Sequence, residues 1–193
     1  MQEAGLRAVL IAAALVLLEK DGTDLSLRSV ARAAGVSAMA PYRHFADKAA
    51  LLGAVADSGF ADLRDRLRTA DAGGKTPVAA LIAQGMAYID MALDRPALFR
   101  LMFADARLAT PDADCSTAAY AVLAARVTTI TGDDRPHAAI AAWGIVHGLA
   151  MLSLAARLPS DREERERVLT LFATGLHRVP DRTADVDRPS PTG

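Results

Sequence analysis

Residues 26–48 contain the side chains with the clearest chemistry in the sequence. Four basic residues lie in this stretch against Asp47 as the single acidic one, whereas the whole chain has a formal net charge of −1. Basic and hydroxyl side chains at close spacing are suited to contact phosphate groups. A solvated helix face has a similar composition, so charge alone leaves both interpretations open.

Two short helical segments flank the tripeptide Gly35-Val36-Ser37. Ser26 is suited to cap the first segment, "LRSVARAA", and Gly35 fits the left-handed conformation that ends a helix. We expect the second helix to begin near Ser37 and to span two turns, because Pro41 costs little in a first turn. This order predicts a helix-turn-helix, whose second helix enters the major groove of DNA.

The second helix is predicted to present several side chains outward. Ala38, Met39, Tyr42 and Arg43 are available to the outside, while Ala40 and Phe45 can face inward. Good hydrogen-bond donors to base edges are few here, chiefly Arg43 and in addition His44. Tyr42 and Lys48 are better placed to contact phosphates, and Lys48 also starts a helix, whose N-terminus favours an anion.

The rest of the sequence predicts an all-α fold with about nine helices. No segment keeps a period-two alternation of apolar residues, and Gly, Pro and Asp interrupt the helical runs. We place a domain boundary at the stretch "DAGGKTP". This gives a helix-turn-helix domain with a connecting helix at 1–70, a second helical domain at 71–178, and a polar, proline-rich tail at 179–193 that is predicted to be disordered.

Several classes of function are disfavoured. The apolar run at 8–18 has 11 residues, too few to span a bilayer, and no small-residue cleavage site follows it, so a buried helix is favoured over a signal peptide. The single cysteine, Cys115, cannot form an internal disulfide, which suits a reducing cytoplasm. Neither a Gly-x-Ser-x-Gly motif, a dinucleotide fingerprint nor a metal-ligand spacing is present, so we expect no enzyme activity, no cofactor and no metal.

Residues 10–52 resemble the N-terminal DNA-binding domain of TetR-family transcriptional regulators, chiefly in "LRSVARAAGVSAMAPYRHFADKAALL". The resemblance implies a three-helix domain with a helix-turn-helix, a connecting helix, and a helical domain for ligand binding and dimerisation. It assigns phosphate contacts to Ser26, Arg28, Ser37, Tyr42 and Lys48, and base-facing positions to Ala38, Met39, Arg43 and His44. Ala38 and Pro41 depart from the family pattern, so we expect base readout to depend on thymine methyl groups and DNA shape.

The segment "AAWGIVHGLAML" places Trp143, His147 and Met151 on one helix face. It is similar to the subgroup of the family whose C-terminal domain is named for its Trp-His-Gly residues. One interpretation is an apolar effector pocket with His147 as its polar group. The predicted lining is Phe99, Met102, Phe103, Tyr120, Trp143, His147 and Met151. The alternative is that these residues are core, as aromatic and Met side chains at helical spacing usually are.

The resemblance implies a ligand-responsive, cytoplasmic repressor. A homodimer would bind a palindromic DNA operator and be released by an apolar small molecule, with the segments 136–157 and 162–177 resembling the family's dimer interface. One alternative is a helical small-molecule carrier or enzyme with a helix-turn-helix-like segment, which would show no salt-dependent DNA binding. Another is an activator with the same fold.

Overall fold

The computed structural model describes residues 3–104, 114–131, 136–158 and 161–176, and within these ranges its regular elements are all helices, without a strand. The α-helices are α1 (Glu3–Asp21), α2 (Leu27–Ala33), α3 (Lys48–Gly73), α4 (Pro77–Asp94), α5 (Pro96–Ala104), α6 (Asp114–Thr131), α7 (Pro136–Leu154) and α8 (Arg162–Gly175). Single 3-10 turns lie at Gly22–Asp24 and Pro41–Arg43. The all-α prediction is confirmed. The predicted tail at 179–193 lies outside the described residues.

The described ranges contain eight α-helices rather than nine, because residues 37–45 do not form the expected two-turn helix. Most of their backbone bonds join residues three apart: the Ala40 N–H donates to the Ser37 carbonyl (2.9 Å) and the His44 N–H donates to the Pro41 carbonyl (3.0 Å). One bond, from the Phe45 N–H to the Pro41 carbonyl (2.9 Å), joins residues four apart. Pro41 has no N–H and so cannot extend an α-helical ladder from Ser37. The segment is therefore one 3-10 turn preceded by a tight turn.

The predicted cap at Ser26 and the predicted turn at Gly35 are confirmed. Ser26 and Ser29 form a reciprocal capping box: the Ser29 N–H donates to Ser26 Oγ (3.0 Å) and the Ser26 N–H donates to Ser29 Oγ (2.8 Å). Gly35 has a φ of +68°, the left-handed conformation that glycine adopts without strain. The Asp47 carboxylate accepts from the Ala50 N–H (2.8 Å) and begins α3. The positions of α2, the turn and α3 are thus set by local bonds.

Helix α3 is shared by the two halves of the molecule. It has 26 residues, which corresponds to about 39 Å of continuous helix. Its buried side chains include Leu51 and Val55 toward its N-terminus, and Leu63 and Leu67 nearer its C-terminus, and it packs against α1 as well as α4 and α6. The helix extends to Gly73, so the first residues of the stretch "DAGGKTP", where the domain boundary was predicted, form its last turn. Helix α3 therefore joins the two halves of the molecule as one continuous helix.

A polar cluster ties the end of α3 to α4 and α6. Arg126 donates from Nε and from one terminal nitrogen to the two oxygens of Asp71, each at 2.7 Å. Gln84, which is fully buried, donates from Nε2 to Asp71 Oδ1 (2.6 Å). The hydrogen bond from Arg126 lowers the pKa of the Asp71 carboxyl. A bidentate ion pair has a fixed geometry, so the pair of Arg126 and Asp71 holds this end of α3 in place.

We expect alanine substitutions at the neighbouring glycines 73 and 74 to differ sharply. A Cβ at Gly74 would lie 2.4 Å from Ala80 Cα, which is backbone, whereas a Cβ at Gly73 would meet no atom within 4 Å. Overpacking costs about 2 kcal/mol, so Gly74→Ala should lower the free energy of unfolding by that amount. Gly73→Ala should leave it unchanged or raise it by up to about 1 kcal/mol. Urea unfolding measures both, and equal values would contradict the close approach of α3 and α4.

Candidate nucleic-acid interface and aromatic cluster

The nine residues that the sequence assigns to DNA contact lie on one accessible stretch of the fold. Eight of them are exposed and His44 is half-buried. Tyr42 is 45% exposed and Met39 is 66% exposed, although both are large side chains that folding usually covers. An exposed tyrosine and methionine beside exposed basic residues are available to a partner.

Pro41 and Phe45 hold this stretch against the core. Both are buried, while their neighbours Tyr42 and Arg43 are exposed. The guanidinium carbon of Arg7 on α1 lies 5.4 Å from the centroid of the Phe45 ring, within the range of a cation–π contact. The sequence prediction concerned the missing N–H of Pro41, and the structure shows that the buried Pro41 ring also anchors the segment. Arg7 was not predicted, because no local pattern links it to Phe45.

The basic side chains of this stretch keep their charges available. Arg28, Arg32, Arg43 and Lys48 form no ion pair with any residue in the ranges that the structure describes. The predicted anion preference at the start of α3 is reduced, however. The Asp47 carboxylate already accepts a hydrogen bond from the Ala50 N–H, one of the first N–H groups of α3. Lys48 can therefore contact an anion chiefly through its side chain.

A second group of side chains brings together aromatic rings from α3 to α7. This aromatic cluster consists of Phe60, Tyr88, Phe99, Phe103, Tyr120, Trp143 and His147. The centroids of neighbouring rings in this cluster lie between 4.6 and 6.5 Å apart, and most of these pairs are edge-to-face or tilted. Such pairs stabilise a site by about 1 kcal/mol each beyond the area they bury. The cluster is thus a common contact of five helices.

His147 is the polar centre of the aromatic cluster. Its Nδ1 lies 2.9 Å from the hydroxyl oxygen of Tyr88, and the Phe103 and Phe99 rings lie 4.6 and 5.6 Å away. Burial lowers the pKa of the His147 imidazole, and burial raises the pKa of the Tyr88 phenol. Both groups are therefore neutral near pH 7, and the cluster has one polar pair without a net charge.

Five of the seven predicted pocket residues belong to the aromatic cluster. Met102 instead packs toward α3, where a Cβ at Gly59 would lie 2.7 Å from its sulfur. Met151 is 43% exposed on α7. Tyr88 and Phe60 were missed, because they lie on α4 and α3 and no spacing along the chain relates them to the Trp143 motif.

One face of α7 is exposed and apolar. Ile140, Gly144, Gly148 and Leu152 recur every four residues, so they form one stripe along the helix. Ile140 is 61% exposed, and a Cβ at either glycine would meet no atom within 4 Å.

Among the described residues, His137–Leu154 is the one stretch long and apolar enough to cross a membrane, with a mean hydropathy of 1.5 and 22% of it buried. Length and composition alone are weak evidence for a membrane span, because helices in the cores of soluble proteins meet the same criteria. The described residues also contain no group of three His, Cys, Asp or Glu side chains that could hold a metal ion.

The fold and the exposed basic turn define a helix-turn-helix protein with a second helical domain. The family model described as "Bacterial regulatory proteins, tetR family" matches residues 10–55, and "Tetracyclin repressor-like, C-terminal domain" matches residues 81–177, half of the 193-residue chain. The chain belongs to the TetR family of DNA-binding transcriptional regulators and is not expected to be an enzyme. The finer resemblance to the Trp-His-Gly subgroup stays a prediction.

Solved structures resemble the chain over most of its length. A protein of unknown function from a Rhodococcus species is 33% identical, with a TM-score of 0.74 over 90% of this chain and 94% of that one. A TetR-family transcription regulator from Marinobacter aquaeolei is 22% identical (TM-score 0.68, covering 89% and 94%), and a regulatory protein in the tetR family from Rhodococcus is 20% identical (0.62, 90% and 95%). The similarity to the Marinobacter aquaeolei structure and to the second Rhodococcus structure shows that they have the same fold as this chain. No curated protein sequence matches.

The burial of His147 predicts a dependence of stability on pH. Its pKa is lowered in the folded state, so the neutral imidazole stabilises the fold fully above the ordinary pKa of about 6.5, and this contribution is lost as the pH falls below it. His147→Gln should remove the loss that the wild type shows between pH 7 and 5. Urea unfolding across this range measures it, with His137→Gln as the exposed control. The same slope in wild type and His147→Gln would contradict the assignment.

Proposed function

We propose that this regulator is a cytoplasmic, ligand-responsive repressor that binds a palindromic operator as a homodimer and is released by an apolar small molecule. The observation that carries the proposal is the exposed basic stretch around residues 37–45, held rigidly by Pro41 and Phe45. We assign DNA binding to residues 1–70, and effector binding and dimerisation to residues 71–178.

The DNA-contacting residues divide into two roles. Ser26, Arg28, Ser37, Tyr42 and Lys48 contact phosphates, and Ala38, Met39, Arg43 and His44 face base edges. Phosphate contacts set the register of the protein on DNA without reading sequence. Arg43 supplies the strongest base recognition, since arginine donates two hydrogen bonds to guanine. Ala38 and Met39 add apolar contacts suited to thymine methyl groups.

Dimerisation follows from the small size of the reading element. A segment of residues 37–45 spans few base pairs, and two copies about 34 Å apart on one face of DNA read a palindrome. The exposed stripe on α7 supports an interface there. Gly144 and Gly148 leave room for close approach of a second helix, and Ile140 and Leu152 would supply apolar contact area at either end.

The aromatic cluster is the proposed effector site. Its neutral polar pair, Tyr88 and His147, suits an uncharged, mainly apolar molecule that makes one hydrogen bond. A ligand of this kind changes operator affinity only by its preference between the DNA-bound and released conformations. Such coupling typically amounts to about 1–3 kcal/mol.

Selection of bound sequences from a random DNA pool tests the proposal. We expect a palindrome with half-sites one helical turn apart. Lys48→Ala should lower the slope of log affinity against log salt by about 0.9 per subunit, equally for all sequences. Arg43→Ala should weaken binding by about 1–3 kcal/mol and relax preference at one base pair of each half-site.

Lys75→Ala is the matched control, because Lys75 is exposed in the loop between α3 and α4. It should change neither the salt slope nor the selected sequence. A carrier without DNA function would give no enriched sequence and no salt-dependent binding. Equal effects of Lys48→Ala and Lys75→Ala would contradict the assigned phosphate contact.

We expect Ile140→Glu to disrupt the dimer. A carboxylate placed in an apolar interface costs about 2 kcal/mol or more, which raises the dimer dissociation constant at least about 30-fold. Sedimentation equilibrium measures this constant, and operator affinity should fall in parallel. The control is Val16→Glu, the same charge at a valine that is 69% exposed on α1. Dissociation of both variants, or of neither, would refute an interface on α7.

A further inference from the structure

The N-terminus of α5 is capped by a side chain from a distant part of the chain. The Glu19 carboxylate on α1 accepts from the Ala97 N–H (3.1 Å) and from the Leu98 N–H (2.8 Å). These bonds join residues 78 and 79 positions apart, across the two halves of the molecule. Carboxylates at helix N-termini are favourable because the first N–H groups have no partner within the helix.

Glu19 satisfies the whole first turn of α5. Pro96 begins the helix and has no N–H, and the Phe99 N–H already donates to the Arg95 carbonyl (2.9 Å). Ala97 and Leu98 are thus the only first-turn donors left. The residue before the helix is Arg95, and arginine cannot accept hydrogen bonds as Ser, Thr, Asp or Asn would. No local residue replaces Glu19.

The helix that Glu19 caps belongs to the aromatic cluster. Phe99 follows Leu98 directly, is fully buried, and stacks on His147. Phe103, one turn later, contacts both Trp143 and His147. A molecule that displaces these rings must therefore move α5 or rotate its side chains.

The helix that carries Glu19 reaches the proposed DNA-binding stretch. Glu19 lies in the last turn of α1, and Arg7 in the second turn of the same helix contacts Phe45. A straight α-helix between these two residues is about 18 Å long, so α1 connects the start of α5 with the end of the 37–45 segment. This connection runs beside α3, against which both α1 and α5 also pack.

We propose that Glu19 is a positioning residue through which α5 and the aromatic cluster are coupled to the DNA-binding stretch. Displacement of α5 changes the two bonds to Glu19, and α1 transmits the change to Phe45. The inference rests on the proposed function, because it requires that the 37–45 segment binds DNA. By reciprocity, DNA binding must then alter the aromatic cluster.

Trp143 is the only tryptophan of the chain and lies in the aromatic cluster, so its fluorescence reports directly on this coupling. The probe is the DNA duplex selected from the random pool, added to saturation to full-length protein. We expect DNA binding to change Trp143 emission in the wild type. In Glu19→Ala this change of emission should be at most half as large. In Glu19→Gln, which keeps one acceptor oxygen, the change of emission should lie between these two. Asp21→Asn, which removes a negative charge two residues away, should behave as wild type.

Amide hydrogen exchange provides a second readout that needs no DNA. Exchange in the first turn of α5 should be about fivefold faster in Glu19→Ala than in wild type or Asp21→Asn, the effect of losing one helix cap. Circular dichroism verifies folding, and if Glu19→Ala does not fold, Glu19→Gln decides the comparison by both readouts.

The outcomes separate this inference from the proposed function. If no DNA sequence is selected, the proposed function fails, and the coupling to DNA fails with it. If DNA is bound but Trp143 does not respond in wild type, or responds equally in the Glu19 variants, the inference alone is wrong. A response that Asp21→Asn also loses would mean that charge near the end of α1 matters rather than the cap.

Discussion

The burial of α3 against both halves of the molecule is the constraint on which the other positions depend. Leu51 and Leu67 at its two ends are both fully buried, so the helix cannot slide or rotate relative to either half without exposing apolar surface. Asp47 fixes where it begins, and the ion pair of Asp71 with Arg126 fixes where it ends. The stretch proposed to bind DNA and the aromatic cluster are therefore both attached to one rigid helix. A structural change that passes from one of them to the other must be carried by elements that are less firmly packed.

Local hydrogen bonds explain why much of the DNA-binding half could be predicted from the sequence. The caps at Ser26 and Asp47 join residues three apart, and the turn at Gly35 depends on the backbone conformation of that one residue. Features of this kind can be predicted from a few consecutive residues. The 3-10 turn after Pro41 was not predicted, because the missing N–H was treated as harmless in a first turn. In a segment of nine residues it removes the bond that an α-helix would need from Ser37.

Hydrogen bonds between residues far apart in the chain could not be predicted from the sequence. Tyr88 and Glu19 have no periodic relation to His147 or to α5, and only the packing of α4 and α1 brings them together. The Trp143 motif lies on a helix that contributes to the aromatic cluster, and five of the seven predicted pocket residues belong to that cluster. The motif could not separate core from pocket, because rings that pack against one another around a neutral hydrogen-bonded pair are compatible with both.

The magnitudes of these interactions suggest how regulation is distributed over the fold. A helix cap contributes about 0.5–2 kcal/mol, which is close to the 1–3 kcal/mol of coupling typical between two sites. The contact of Glu19 with α5 is therefore weak enough for a ligand to break and strong enough to matter. Breaking the pair of Asp71 with Arg126 costs more, because two charge-assisted hydrogen bonds are lost together and Asp71 also accepts the bond from the buried Gln84. A switch built on this fold would keep the end of α3 fixed and use the contact between α1 and α5 as its movable part.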